Sequence, residues 1–235
     1  MRVLGIPEQF RQEYSRLFVG DSTTDEKVEF LRRVLPVKKH ELAEDVLSDL
    51  LRSDLLVPEI EGLTLSLMVS GRDSVAYMIT TCMTALLNNP EQLKALRDDP
   101  TLIAGGMEEF MRVGAMFLTL FPRTATEDLT LGDVHIKAGQ SVSVSPVAAN
   151  HDERQFPDPD KFDLSRDAFG HIGFGHGIHG CVGQQVARVE IREGVMQLIN
   201  GIPSLHLVHA EQNEPGPFAH PVATYEAGEL MVSWN

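Results

Sequence analysis

The chain has 235 residues, enough for one large domain or two small ones with a sizeable core. Its net charge of −14 argues against nucleic acid or an anionic membrane as the main partner, and its 43% hydrophobic content is ordinary for a globular protein. The two cysteines, Cys82 and Cys181, do not form the pattern of a disulfide framework, so we expect a reducing, cytoplasmic setting.

The first part of the chain is predicted to be helical. Apolar residues recur at helical spacing over residues 7–19 and again over 41–56, and a charged helix is predicted between them, from Thr24 to about Leu35. The N-terminus lacks the apolar core of a signal peptide, so no secretory leader is predicted.

The longest apolar segment, residues 59–88, is predicted to be a buried helix that is apolar nearly all round. Arg72 and Asp73 lie at its centre, which argues against a membrane span. Residues 70–74 (SGRDS) place polar and flexible residues where they weaken a buried helix. Two interpretations stay open: a hydrogen-bonded or exposed structural feature, or the wall of a functional site.

Two shorter helices are predicted over residues 90–97 and 101–113. Glu109 and Arg112 lie three apart on the second helix, where their side chains can pair. From Phe117 onward polar and apolar residues alternate between glycine turns, which predicts short strands and hairpins.

A glycine-rich loop, residues 174–183, carries Cys181 just before a helix predicted over 182–199. Unpaired backbone N–H groups and the helix dipole favour a thiolate at this position, which makes Cys181 a candidate nucleophile or soft metal ligand. Zinc is the less favoured metal, because its structural ligands usually come as spaced Cys/His pairs. That zinc site would use His171, His176, His179 and Cys181. The following helix is predicted to turn Val186, Val189, Val195 and Leu198 inward.

The segment FGHGIHGCVG, residues 174–183, resembles the haem-binding signature F-G-x-G-x-H-x-C-x-G of the cytochrome P450 family at every fixed position. The resemblance implies that Cys181 is the axial ligand of the haem iron, a role that a thiolate can fill. It also implies that His179 approaches a haem propionate. The rest of the cofactor-binding loop would include Phe174, Gly175 and Gly183.

Two further segments resemble the family. Arg123 matches an arginine that pairs with a propionate, although a surface arginine on a strand is the alternative. In the central helix Gly71 would admit dioxygen, and Asp73 and Ser74 would deliver protons. Ser74 departs from the more frequent threonine, since serine keeps the hydroxyl but loses the β-branch that fixes its rotamer.

A third resemblance is structural. Glu109 and Arg112 match the family's E-x-x-R pair, and Arg166 matches the arginine that joins it before the haem loop. These three residues would lock the loop that carries Cys181. The pair alone says little, because exposed Glu/Arg pairs at this spacing are common.

The implied fold class is mainly α with small β-sheets, the C-terminal portion of the cytochrome P450 fold of the soluble bacterial type. We expect a single partial domain in four successive parts. They are helices over 1–113, strands and meander over 114–170, the haem-ligand loop and its helix over 171–200, and C-terminal strands over 201–235. Family members are nearly twice as long, so an N-terminal truncation is expected.

The implied function is a haem-thiolate monooxygenase that hydroxylates or epoxidises a small apolar molecule, such as a secondary metabolite. The implied cofactor is haem b, with electrons from NAD(P)H through a ferredoxin-type donor. Arg188 and Arg192 lie where the family docks that donor, although such arginines are commonly a solvated face. The alternatives are a non-catalytic remnant or helper that binds another polypeptide, which would complete the fold, and a mis-set start of the coding sequence.

Overall fold

The computed structural model describes residues 3–213, 223–224 and 226–234. They divide into two compact units, one ending at Asp73 and one beginning at Ser74. The helices are α1 (Arg11–Val19), α2 (Thr24–His40), α3 (Val46–Arg52), α4 (Val57–Asn88), α5 (Pro90–Asp98), α6 (Ile103–Val113), α7 (Pro146–Asn150) and α8 (Gln184–Gly201). The strands are β1 (Phe117–Thr119), β2 (Arg123–Thr124), β3 (Leu129–Leu131), β4 (Val134–Ile136), β5 (Ser141–Val142), β6 (His206–Asn213), β7 (Ala223–Thr224) and β8 (Glu226–Ser233).

In the first unit α2 is longer than predicted and α3 is shorter. A capping box starts α2, because the Thr23 side chain accepts from the Glu26 N–H and Glu26 accepts from the Thr23 N–H. The helix then continues through Pro36 to His40. The helix predicted over 41–56 is wrong at both ends, since only Val46–Arg52 is helical.

A buried ion pair fixes the start of α3. The Lys38 ammonium lies 2.6 Å from the Asp45 carboxylate, and each side chain is only 6% exposed. The other Asp45 oxygen accepts the Ser48 N–H at 2.9 Å and so caps α3. Gly5 adopts φ +84°, and a Cβ there would collide with the Asp45 carboxylate.

The middle of α4 is exposed, contrary to the prediction of a helix buried nearly all round. Ile60, Thr64 and Met68 recur every four residues and form one buried stripe in the first unit. Residues 69–73 are exposed, and Val69 is 47% exposed. Among the described residues, no helix combines the length and apolar character that a membrane span needs.

The second unit packs α5, α6, α8 and the last turns of α4 around one core. On α8 the buried stripe is Ile191, Val195 and Ile199, again spaced by four residues. Val186 and Val189 were predicted to face inward, but they are exposed because they lie on the opposite side of α8.

The strands form antiparallel pairs within this unit: β1 with β7, β2 with β5, β3 with β4, and β6 with β8. Pairing of Arg123 with Val142 in β2 and β5 fixes the backbone of the predicted propionate-binding arginine. The mixture of helices with small sheets agrees with the predicted fold class.

Candidate functional site

The loop that carries Cys181 is shaped by two glycines and closed by one backbone hydrogen bond. Gly175 and Gly177 adopt φ +73° and +70°, a region that side chains with a Cβ rarely enter. The Cys181 N–H donates to the Phe174 carbonyl at 2.8 Å. Cys181 therefore sits exposed on a closed turn, three residues before the start of α8 at Gln184.

A cavity of about 480 Å³ opens beside this loop. It brings together five of the predicted cofactor-binding residues: Arg123, Phe174, Gly175, His179 and Cys181. The sixth, Gly183, lies at the N-cap of α8, where an added Cβ would be 3.9 Å from the Cys181 Sγ.

The lining of this cavity fits a flat apolar group with an acidic edge. Phe117, Phe121 and Phe174 contribute aromatic surface, and Cys181 contributes a soft ligand. Arg123 donates through Nη1 to the Phe121 carbonyl at 2.8 Å, which holds the guanidinium at the cavity. A guanidinium pairs well with carboxylates, so the donor set fits haem with its propionates.

The zinc alternative has no support in the described part of the chain. No group of three or more His, Cys, Asp or Glu side chains is placed there to hold a metal ion. His171 is instead committed to a carboxylate, since its Nε2 lies 2.9 Å from Glu108. The other thiol, Cys82, is buried in the core, and burial raises its pKa.

The structure brings the three predicted locking residues together in a buried cluster. Glu109 and Arg112 are fully buried, and Arg112 donates to the two Glu109 carboxylate oxygens at 2.7 and 2.9 Å. Arg166 donates to Glu109 at 3.2 Å, and the Asp163 N–H donates to the same oxygen at 3.1 Å. Two guanidinium groups and a meander amide therefore share one carboxylate.

Asn150 extends this cluster to the loop, and the sequence did not identify it. Asn150 is fully buried. Its backbone carbonyl accepts a hydrogen bond from Arg112 Nη1 at 2.8 Å, and its side-chain Nδ2 donates to the Arg112 backbone carbonyl at 3.1 Å. Its Oδ1 accepts the Ile172 N–H at 2.8 Å. In the sequence Asn150 stands in the stretch predicted as strands and meander, where the position of an amide does not reveal its partners.

A second polar cluster, also missed, is centred on Glu108. Its carboxylate accepts from Arg188 at 2.7 and 2.9 Å and lies 2.9 Å from His171 Nε2. These hydrogen bonds, first from Arg188 and then from His171, lower the pKa of Glu108 to about 2 although partial burial opposes them. A second cavity, of about 780 Å³, lies against the cluster and shares Phe174 with the first.

Arg188 and Arg192, which the sequence analysis considered as partner-facing or solvated arginines, differ in exposure. The Arg188 side chain is 24% exposed, and its guanidinium is committed to Glu108. Its pKa is raised, chiefly by the hydrogen bond to Glu108. Arg192 is exposed but lies 3.0 Å from Glu193, so its charge is paired as well.

The three predicted residues on α4 are described by their local surroundings. A Cβ added at Gly71 would meet nothing within 4 Å. The Asp73 side chain is 79% exposed and lies 3.4 Å from Arg72, and Ser74 is half-buried with an interaction partner. The catalytic roles of these three residues stay predictions.

Comparison with known proteins identifies relatives over nearly the whole chain. The family model for cytochrome P450 matches residues 3–201. Cytochrome P450-SU2 of Streptomyces griseolus is 34% identical over 244 residues, which cover 99% of this chain and 60% of the relative. The mycinamicin IV hydroxylase/epoxidase of Micromonospora griseorubida is 33% identical over 223 residues, which cover 87% of this chain and 56% of the relative.

A solved structure has the same fold. CYP109E1 from Bacillus megaterium, in complex with corticosterone, superimposes with a TM-score of 0.87 at 26% identity, over 100% of this chain and 68% of the neighbour. The chain spans about 60% of the length of P450-SU2 and corresponds to the C-terminal portion of the fold. The chain therefore belongs to the cytochrome P450 family.

Proposed function

We propose that this chain is the haem-binding portion of a haem-thiolate monooxygenase. The observation that carries the proposal is the exposed Cys181 thiol, which lines an apolar cavity together with Arg123 and His179. The names of relatives, which include a hydroxylase/epoxidase and a vitamin D(3) 25-hydroxylase, support the same reaction class.

In this proposal each residue of the cavity has a distinct task. Cys181 would coordinate the haem iron, and Arg123 and His179 would bind the propionate carboxylates. Phe174 and Gly175, which line the same cavity, would help to hold the cofactor. Haem b, when bound, supplies dioxygen activation with two electrons that originate from NAD(P)H and arrive through a ferredoxin-type donor. One oxygen atom enters the substrate and the other leaves as water.

The residues outside the cavity either hold the loop in place or serve dioxygen and proton delivery. The cluster of Glu109, Arg112 and Arg166 holds the segment before the loop in place. Gly71 provides space for dioxygen, and Asp73 and Ser74 move protons, because a carboxylate and a hydroxyl can both exchange protons with water. Asp73→Asn should then lower turnover while leaving haem content unchanged.

The proposed substrate is a small apolar molecule. CYP109E1 was solved in complex with corticosterone, and the Micromonospora relative is named for mycinamicin IV. These ligands belong to the relatives, and for this chain they support the substrate class alone.

The test is the carbon monoxide difference spectrum of the reduced chain after loading with haem. We expect the red-shifted Soret band of thiolate-ligated haem, its loss in Cys181→Ala, and its retention in Cys82→Ala, which removes the other thiol. The proposal fails if the folded chain takes up no haem, or if Cys181→Ala keeps the same band.

A further inference from the structure

We propose that Glu108, Arg188 and His171 form a positioning triad that fixes Phe174 and, through it, the backbone of Cys181. The proposal deepens the proposed function, because it assigns residues that hold the candidate iron ligand in place. None of the three belongs to the haem-binding signature, and Glu108 lies 80 residues before Arg188 in sequence.

The first step is the geometry around the Phe174 ring. The Arg188 guanidinium carbon lies 4.5 Å from the ring centroid, within the range of a cation–π contact. The His171 ring is 6.2 Å from the same ring at an interplanar angle of 49°. Both side chains are anchored on Glu108, so one carboxylate determines where two neighbours of Phe174 lie.

The second step is the backbone on each side of Phe174. The Gly173 N–H donates to His171 Nδ1 at 3.1 Å, so His171 is the tautomer whose Nε2–H donates to Glu108. On the other side, the Phe174 carbonyl accepts the Cys181 N–H at 2.8 Å. A continuous path of contacts therefore runs from Glu108 through Phe174 to Cys181.

The third step is the charge state of the triad. The hydrogen bonds from Arg188 and His171 hold the pKa of Glu108 near 2, so the carboxylate stays ionised at neutral pH. Glu108 thus serves as a permanent acceptor.

The test uses hydrogen exchange at single amides of the haem-free protein. In Glu108→Gln one acceptor oxygen is replaced by a donor, so the Cys181 and Gly173 amides should exchange about 2- to 10-fold faster. Arg188→Lys should have the same effect, because lysine keeps the charge but loses the planar fork. The reference amides are Leu120 and Ala125, which are hydrogen-bonded elsewhere in the unit and should be accelerated less than Cys181 and Gly173.

Asp152→Asn is the matched control. Asp152 also accepts hydrogen bonds from an arginine, Arg154, and its pKa is also lowered to about 2, chiefly by that arginine. Removing the Asp152 charge should leave the exchange rate of the Cys181 amide unchanged. After haem loading, the red-shifted Soret band of thiolate-ligated haem in the carbon monoxide difference spectrum should also be weaker in Glu108→Gln than in Asp152→Asn.

The outcomes separate the triad from the haem proposal. Acceleration that is larger at Cys181 and Gly173 than at Leu120 and Ala125 supports the triad even if the chain binds no haem, a result that would defeat only the proposed function. Unchanged Cys181 exchange in both Glu108→Gln and Arg188→Lys overturns the triad. Equal acceleration at Leu120 and Ala125 also overturns it, since the effect would then be general destabilisation.

Discussion

Replacing Glu109 by alanine should strongly destabilise the second unit. The substitution leaves the fully buried Arg112 guanidinium and part of the Arg166 guanidinium without their carboxylate. Removing one partner of a buried ion pair costs about 3–5 kcal/mol. The gain in helix propensity from alanine in α6 is below about 0.7 kcal/mol and cannot offset this loss.

For a unit of this size the loss corresponds to a fall in Tm of about 6–20 °C. The assay is urea unfolding followed by circular dichroism, with thermal unfolding as a second measurement. Asp152→Ala is the control, because its partner Arg154 is 87% exposed and such pairs contribute little. If Glu109→Ala and Asp152→Ala unfold at the same urea concentration, the buried cluster does not stabilise the unit as reasoned.

Three other predictions concern stability. Glu108 has a pKa lowered to about 2, chiefly by the hydrogen bond from Arg188. Its contribution to the free energy of unfolding is therefore present above about pH 4.5 and lost as the pH falls toward 2. Because a third of the side chain is exposed, we expect about 1–2 kcal/mol, measured as a Glu108→Gln stability deficit at pH 7 that shrinks on acidification. Lys38→Met leaves the Asp45 carboxylate buried and unpaired and should cost about 3 kcal/mol in urea unfolding, whereas a deficit below about 1 kcal/mol would contradict this. Gly71→Ala meets open space in α4 and should stabilise by up to about 1 kcal/mol, and a lower denaturation midpoint would contradict that reasoning.

Part of the candidate site is local in sequence, so its residues could be grouped from a short stretch of chain. Phe174, Gly175, His179 and Cys181 are near neighbours in sequence and line one cavity, as expected for residues of one loop. Arg123 joins them from a strand 58 positions before Cys181, and only the family resemblance suggested this.

Helix boundaries and faces were predicted less well, because they depend on tertiary contacts. The pattern over 41–56 is amphipathic, yet Asp45 caps α3 and pairs with Lys38, so the chain before it is not helical. Val186 and Val189 are β-branched and apolar, but the buried face of α8 is set by what packs on it.

Partners distant in sequence could not be predicted from spacing. Glu108 and Glu109 are adjacent acidic residues in a helix, and the family pattern assigned a role only to the second. Glu109 meets Arg166 and Glu108 meets Arg188 because of how the meander, the glycine-rich loop and α8 pack on α6.

These two carboxylates explain how one helix can fix the loop from several sides. Successive side chains on a helix point about 100° apart, so Glu108 and Glu109 reach different partners from a single turn of α6. Glu109 holds the meander before the loop, and Glu108 holds the residues around Phe174. Gly173 lies so close to the Met111 carbonyl of the same helix that a Cβ would collide with it. If the proposed triad holds, the placement of Cys181 depends on α6 as well as on its own glycine-rich loop.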